Sequence, residues 1–372
     1  MAGIYIHIPF CRRACHYCNF HFSTSASNTS EMVKAIVKEA ELRSDYLNEQ
    51  VSTIYFGGGT PSLIAMDDLD LTLKKFREIF KINTDAEITL EANPDDITEE
   101  KLLHWKQAGI NRLSMGIQSF FEEDLQWMNR AHNAHQANQS IELALKYFDN
   151  ITIDLIYGTP TLSDEKWQMN VQRAIDLNIP HLSCYALTVE PKTALDKMIL
   201  QGKKENVDTE KQARHFELLM QWLNEAGYEH YEISNFAKPG KRSKHNSSYW
   251  QGKTYLGLGP SAHSYNGVAR QWNISNNALY LQSIKQNIIP FELEELTITQ
   301  KLNEYIMTSL RTMEGMSLNY IDANWNARHV EEILKDADAF LKKHEMIRKE
   351  DRLVLTNKGK LLADGIAAEL FR

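Results

Sequence analysis

YIHIPFCRRACHYCNFHF, residues 5–22, decides how the rest of this 372-residue chain is read. Its apolar opening, Tyr5 with Ile6 and Ile8, suits a short buried strand that Pro9 ends. Cys11, Cys15 and Cys18 follow within one loop, and Cys184 is the only other cysteine in the chain. Packing does not call for such a concentration. Thiolates are the soft ligands that iron–sulfur clusters and zinc require. Three of them are one short of a closed zinc site, and suit a four-iron cluster with one open position. His16 or His21 would complete a zinc site, so zinc remains a rival, as do three buried or free thiols.

Outward from this loop, apolar runs alternate with helical periodicity. Strands are expected over 3–8, 51–56, 86–92, 112–117, 151–156 and 181–187, with helices over 31–47, 67–80, 98–108, 164–177 and 208–226 between and after them. Thr98 is placed to cap the third of these helices, and Gly109 to end it. Strand and helix in alternation imply parallel pairing in an α/β fold. Polar groups gather at the strand C-terminal ends, which form the active-site face of a βα barrel. They are Gly57-Gly58-Gly59-Thr60-Pro61, Glu91, Gln118 and Asp154. The same periodicity fits an open doubly wound sheet.

Each polar residue has an ordinary structural account. The glycines suit a tight turn, Glu91 a cap or surface charge, and Gln118 and Arg130 loop and helix polarity. Asp154 lies inside the apolar run ITIDLI and is costly to bury unless paired. Cys184 reads as a packed thiol, and His7 as an inward residue with a structural hydrogen bond.

Cys11-x-x-x-Cys15-x-Tyr17-Cys18 resembles the signature of the radical S-adenosylmethionine (SAM) superfamily. The preceding Tyr5-Ile-His7-Ile-Pro9-Phe10 is similar to the oxygen-independent coproporphyrinogen oxidase group within it. The resemblance spans Tyr5 to about Ser264. It implies a partial (β/α)6 barrel in which Cys11, Cys15 and Cys18 hold a 4Fe–4S cluster and SAM binds the fourth iron. It places Tyr5, Tyr17, Gly58, Gly59, Thr60, Glu91, Gln118, Arg130 and Asp154 around these cofactors. Arg130 is matched to the SAM carboxylate, and Gln118 and Asp154 to ribose hydroxyls.

His245-Asn-Ser-Ser-Tyr249-Trp250 reads from its residues alone as a loop anchored by two aromatics. It also resembles the motif of the heme-chaperone branch of this group. That resemblance implies a heme site at His245, with His263 nearby, and an apo-protein that accepts the heme. Two departures set the chain apart from the oxidases. Phe20 stands where they carry a further cysteine, and only four residues precede Tyr5. Radical-SAM decarboxylation of coproporphyrinogen III is the alternative activity, so whether the chain is an enzyme is left open.

Beyond Pro260 the pattern changes. Residues 273–287 read as a helix, 290–299 as an acidic connector, 299–311 and 326–344 as helices, and 346–355 as a hairpin turning at Glu350-Asp351. A barrel domain over 1–268 and a winged-helix-like α+β module over 269–372 are expected. The formal net charge of −8 and the lack of a basic recognition helix argue against nucleic acid. No run approaches the ~18 apolar residues of a membrane span, and the first ten residues make a poor signal peptide. A cytoplasmic protein without stable membrane insertion is expected.

Overall fold

The computed structural model describes residues 2–372. Six strands alternate with helices: β1 (Ala2–Ile8), α1 (Thr29–Leu42), β2 (Val51–Gly58), α2 (Met66–Ile79), β3 (Ile82–Ala92), α3 (Glu99–Ala108), β4 (Arg112–Gln118), α4 (Glu122–Met128), α5 (Ala134–Ala144), β5 (Ile151–Tyr157), α6 (Asp164–Asp176), β6 (His181–Ala186), α7 (Ala194–Leu200) and α8 (Thr209–Glu225). All six strands pair in parallel in chain order. Apolar residues dominate them because helices cover one face and the barrel interior the other. Ile4, Ile6, Ile54, Phe56, Leu113, Ile153 and Leu182 are buried. Local signals set the helix ends. Thr98 accepts the Lys101 amide at 3.2 Å, and Gly109 closes α3 in the left-handed region at φ 105°.

The sheet then extends past both ends of this parallel run. The hairpin β7 (Glu229–Glu232) and β8 (Asn235–Ala237) adds to β6 in antiparallel fashion. After α9 (Lys244–Trp250), β9 (Tyr255–Leu258) lies parallel to β1. Then β10 (His263–Tyr265), β11 (Ala269–Asn273) and, after α10 (Asn277–Lys285), β12 (Phe291–Glu295) continue the sheet in antiparallel fashion. The result is one twelve-stranded open sheet running from β12 to β7.

Three local expectations are corrected. Residues 290–299 are not a plain connector: Phe291–Glu295 is an edge strand whose exposed acidic residues protect its unpaired side. HNSSYW is not a loop but helix α9, capped by Ser243, which accepts the Asn246 amide at 3.2 Å. The helix expected over 273–287 begins only at Asn277, because Asn273 ends β11.

The remaining chain forms α11 (Ile298–Leu310), β13 (Met316–Ser317), α12 (Leu318–Asn324), α13 (Ala327–Lys342), β14 (Met346–Lys349), β15 (Arg352–Leu355), α14 (Asn357–Lys360) and α15 (Ala363–Glu369). A three-stranded sheet, β13-β15-β14, packs with these helices around a separate core that includes Leu302, Ile306, Ile333, Leu353 and Ile366. This core starts at Leu302, whereas residue 268 lies between two paired strands of the large sheet. The module is tied to the β7–β8 turn. Arg311 meets the buried Glu232 at 3.0 Å, and the Ile233 amide donates to the Arg311 carbonyl at 3.1 Å. Among the described residues no helix is long and apolar enough to cross a membrane.

Candidate functional site

The cysteine loop leaves β1 at Ile8 and is closed at its neck. The Cys11 amide donates to the Ser23 carbonyl at 3.0 Å, and the Ser23 amide to the Pro9 carbonyl at 2.8 Å. The loop lies across the C-terminal ends of β3 and β4, held by several polar contacts. Arg12 reaches Asp96 at 2.5 Å. Arg13 donates to the Arg130 carbonyl at 3.0 Å, and Asn129 to the Ala14 carbonyl at 2.7 Å. Asn129 takes the left-handed conformation at φ 59° that ends α4 and directs the chain into Arg130.

Arg130 is the centre of this docking. Its Nη1 donates to Cys15 Sγ at 3.3 Å and to the Tyr17 hydroxyl at 3.4 Å. Its Nη2 donates to Asn93 Oδ1 at 2.9 Å and to the Gly116 carbonyl at 2.8 Å. The Nε is buried without a partner. Asn93 also donates to the buried Thr60 hydroxyl at 3.2 Å, which in turn donates to Cys11 Sγ at 3.5 Å. Gln118, buried at φ 67°, converges with Arg130 and Asn93 over Gly116. The bare Gly116 leaves room for all three.

The three thiols are half-buried in this one loop. Burial pushes Cys11 up, and Cys15 adds to this against the Thr60 hydrogen bond. Burial, with Cys15 and Cys11 beside it, pushes Cys18 up to about 11. Among the described residues no three His, Cys, Asp or Glu side chains already stand in a metal-ligating cluster. Each histidine that would favour zinc has one ring nitrogen hydrogen-bonded. His16 Nδ1 hydrogen-bonds the Trp127 carbonyl at 3.1 Å, and His21 Nε2 hydrogen-bonds Asn277 at 2.7 Å. The loop's thiols number three, one short of an all-thiolate zinc site and suited to an iron–sulfur cluster with an open position. Phe20 is 68% exposed, directed to solvent rather than to the site.

Beside this loop the barrel interior holds two half-buried carboxylates, Glu91 and Asp154. Glu91 Oε1 accepts from the Tyr55 hydroxyl at 2.8 Å. Burial, and then Asp154, push Glu91 from the ordinary 4.5 up to about 7. Burial pushes Asp154 up to about 6, opposed by Arg112 and Arg130. Tyr5 hydrogen-bonds His7 Nδ1 at 3.1 Å, and His7 Nε2 hydrogen-bonds the His21 carbonyl at 2.9 Å. His7 is thus inward and structural, as expected, and burial lowers it to about 4. Gly58 sits at φ 110°, where a Cβ would meet the His7 ring at 2.7 Å. A Cβ on Gly59 would meet the Phe10 carbonyl at 2.6 Å. The Gly57–Gly59 backbone can therefore lie close under the cysteine loop.

His245 is not part of this group. It is buried near the start of β1 and β2, with Nδ1 hydrogen-bonded to Thr53 at 2.7 Å and Nε2 to the Tyr249 hydroxyl at 2.8 Å. Its ring stacks on Tyr55 with centroids 4.9 Å apart, and burial lowers it to about 3. Its backbone amide donates to the buried Glu87 at 2.9 Å. His263 is exposed on β10 and stacks with Trp272. Cys184 is buried in the core, as expected of a packed thiol.

Sequence reasoning placed Thr60, Gln118, Tyr17 and Arg130 in the group that the fold brings together. It missed the bridging role of Asn93 and the Arg12–Asp96 pair. Asn93-Pro94 at a strand end was the only available signal, and Arg12 and Asp96 show no mutual pattern.

Residues 5–174 match the radical SAM superfamily. The heme chaperone HemW of Mycobacterium tuberculosis is 35% identical over 99% of this chain and 94% of its own length. That of Bacillus subtilis is 32% identical over 98% of each. In structure, the coproporphyrinogen III oxidase HemN of Escherichia coli, a radical SAM enzyme, superposes with a TM-score of 0.86 over 100% of this chain and 90% of that one, at 24% identity. The α/β radical SAM fold is therefore shared. The near-full-length match at this identity shows that this chain belongs to the HemW family of the radical SAM superfamily.

Proposed function

We propose that the chain is a heme chaperone that binds heme and passes it to an apo-protein, using a radical SAM site as its second cofactor centre. The observation that carries this is the joint presence of a docked three-thiol loop and the HNSSYW helix in one barrel. Cys11, Cys15 and Cys18 would ligate a 4Fe–4S cluster. Gly58, Gly59 and Thr60 would line the methionine end of SAM with Tyr5 and Tyr17. Glu91 would accept from its ammonium group, and Gln118 and Asp154 from ribose hydroxyls. When bound, this pair supplies one-electron chemistry.

The protein's own groups support that assignment. Glu91 and Asp154 are half-buried carboxylates whose charged forms desolvation disfavours, and a cationic ligand would relieve both. Arg130 first clamps the loop, with its Nη atoms committed to Cys15, Tyr17, Asn93 and Gly116. The unpartnered Nε is what remains for a carboxylate. His245 stays in this reading as a heme-site residue through Tyr249, whose hydroxyl it holds.

Glu91→Gln is expected to weaken SAM binding about tenfold or more, the worth of a charge-assisted hydrogen bond, as read by equilibrium dialysis on reconstituted protein. The same variant tests the electrostatics. The folded state keeps a proton on Glu91 between about 4.5 and about 7 that the unfolded chain has released. Stability of the cofactor-free protein is therefore expected to fall as pH rises through that window. Asp154 acts with the same sign. Urea unfolding at about pH 5 and about pH 7.5 should show a smaller difference in Glu91→Gln than in the parent. An unchanged difference would mean that Glu91 is not the group responsible.

The function itself is tested by loading reconstituted protein with heme and mixing it with the apo form of a non-covalent heme protein. In parallel the protein is given coproporphyrinogen III, SAM and a reductant without oxygen. Heme transfer without decarboxylated product is expected. Decarboxylation without transfer would overturn the reading.

A further inference from the structure

A cavity of about 1000 Å³ lies away from the cysteine loop, between the barrel and the C-terminal module. That volume is at the upper end of small-molecule sites. Tyr249, Trp250 and Tyr255 line it from the barrel, and Tyr305, Tyr320 and Trp325 from the module. The module's three rings form one cluster, with Tyr305 and Tyr320 centroids 4.5 Å apart and Tyr305 and Trp325 6.1 Å apart. On the other wall, Tyr249 and Tyr255 meet edge to face at 4.7 Å. Two aromatic walls across one gap suit a flat ring between them.

The charge on this lining is opposite to that of the whole chain. Five cationic side chains, Arg242, Lys253, Arg270, Lys301 and Arg352, face two carboxylates, Glu304 and Glu314. Arg242 pairs with Glu314, and Arg270 with Glu304. Lys301 has no ion-pair partner among the described residues. Among the described residues Arg352 donates only to the carbonyls of Glu314 and Gly315, at 3.4 and 3.2 Å. The indole N–H of Trp250 is buried and unpartnered. A chain of net charge −8 that concentrates cations at one cleft is built to take an anion there.

The cleft also lies far from the cysteines. Tyr255 pairs with Gly3 at the start of β1, whereas the thiols follow its end. At ~3.3 Å per residue the two are roughly 20–25 Å apart along the strand. The Tyr249, His245 and Tyr55 side chains stand between them in a contiguous hydrogen-bonded and stacked column.

We propose that this cleft is the iron-porphyrin site: the ring is held between the two aromatic walls, and its two propionates meet Lys301 and Arg352. The assignment rests on the heme reading above and makes the C-terminal module half of the site. Heme and SAM then occupy opposite ends of the barrel strands.

Full-length reconstituted protein is titrated with heme and with heme dimethyl ester, which lacks the propionate charges. Lys301→Glu and Tyr320→Ala are compared with the parent. Tyr320 is 48% exposed, so its removal leaves the core intact. Each variant is expected to lose at least tenfold in heme affinity while keeping its iron content and SAM binding. The ester is expected to bind the parent more weakly and to be indifferent to Lys301→Glu. If the parent binds heme and both variants bind it equally well, the cleft is not the site, though the heme reading stands. If the parent itself binds no heme, that reading fails and the assignment with it.

Discussion

Replacing Cys15 by Ala is expected to lower the iron retained after anaerobic reconstitution by about tenfold or more, with loss of the broad charge-transfer absorption. The expectation follows from the loop's construction. Cys11, Cys15 and Cys18 are the whole thiol set of the loop, and it carries no further cysteine to replace a missing sulfur. Cys15 is also the thiol to which Arg130 donates, at 3.3 Å, so its loss removes a contact that docks the loop as well as a ligand. Cys11 and Cys18 are pushed up by burial first, and Cys15 adds to both. Loading must therefore displace their protons and should weaken as pH falls. Cys184→Ala is the matching control, since that thiol is buried in the core, and it should load iron as the parent does. Unchanged iron content in Cys15→Ala would remove the cluster from the account.

Glu39→Ala is expected to destabilise the protein by about 3–5 kcal/mol, the cost of leaving a buried cation unpaired. Glu39 lies on α1 and Arg43 just past its end, their side chains almost fully buried and 3.3 Å apart. Glu39 accepts from the Gly259 amide at 2.8 Å, the Tyr280 hydroxyl at 2.6 Å and Asn273 at 2.8 Å. Arg43 donates to Asn273 at 3.2 Å and Ser264 at 3.3 Å. One ion pair thus joins the end of α1 to the turn after β9, to β10 and β11, and to α10. Burial raises the Glu39 carboxyl, so the charge persists only through these partners. A paired replacement, Glu39→Leu with Arg43→Met, should recover much of the loss, because no uncompensated charge remains. Urea unfolding measures both. A loss below about 1 kcal/mol in Glu39→Ala would show that this network does not hold the extended edge.

The six-strand core was legible because parallel strands covered on both sides are written as continuous apolar runs. Thr98 and Gly109 mark the ends of α3 by mechanisms that act within one turn. The elements that escaped reading are those fixed by distant partners. Tyr255–Leu258 is four residues with a glycine, and only its pairing with β1 makes it a strand. Phe291–Glu295 carries three glutamates because it is an edge, and so looks like a linker. In the site, cysteine spacing and the Gly57–Gly59 turn are local patterns and could be read directly. Asn93 bridges Thr60 to Arg130 only through the fold. His245 was expected on a loop facing a ligand. It is instead a buried helix residue with both ring nitrogens hydrogen-bonded, because Thr53 and Tyr249 meet it from opposite sides.

Heme handling is the central claim, and equilibrium titration of heme into anaerobically reconstituted, SAM-loaded protein tests it most directly. The account predicts a saturable site at one heme per chain in the low micromolar range, with a defined Soret band. Non-saturating uptake, or no spectral change at such concentrations, would contradict it.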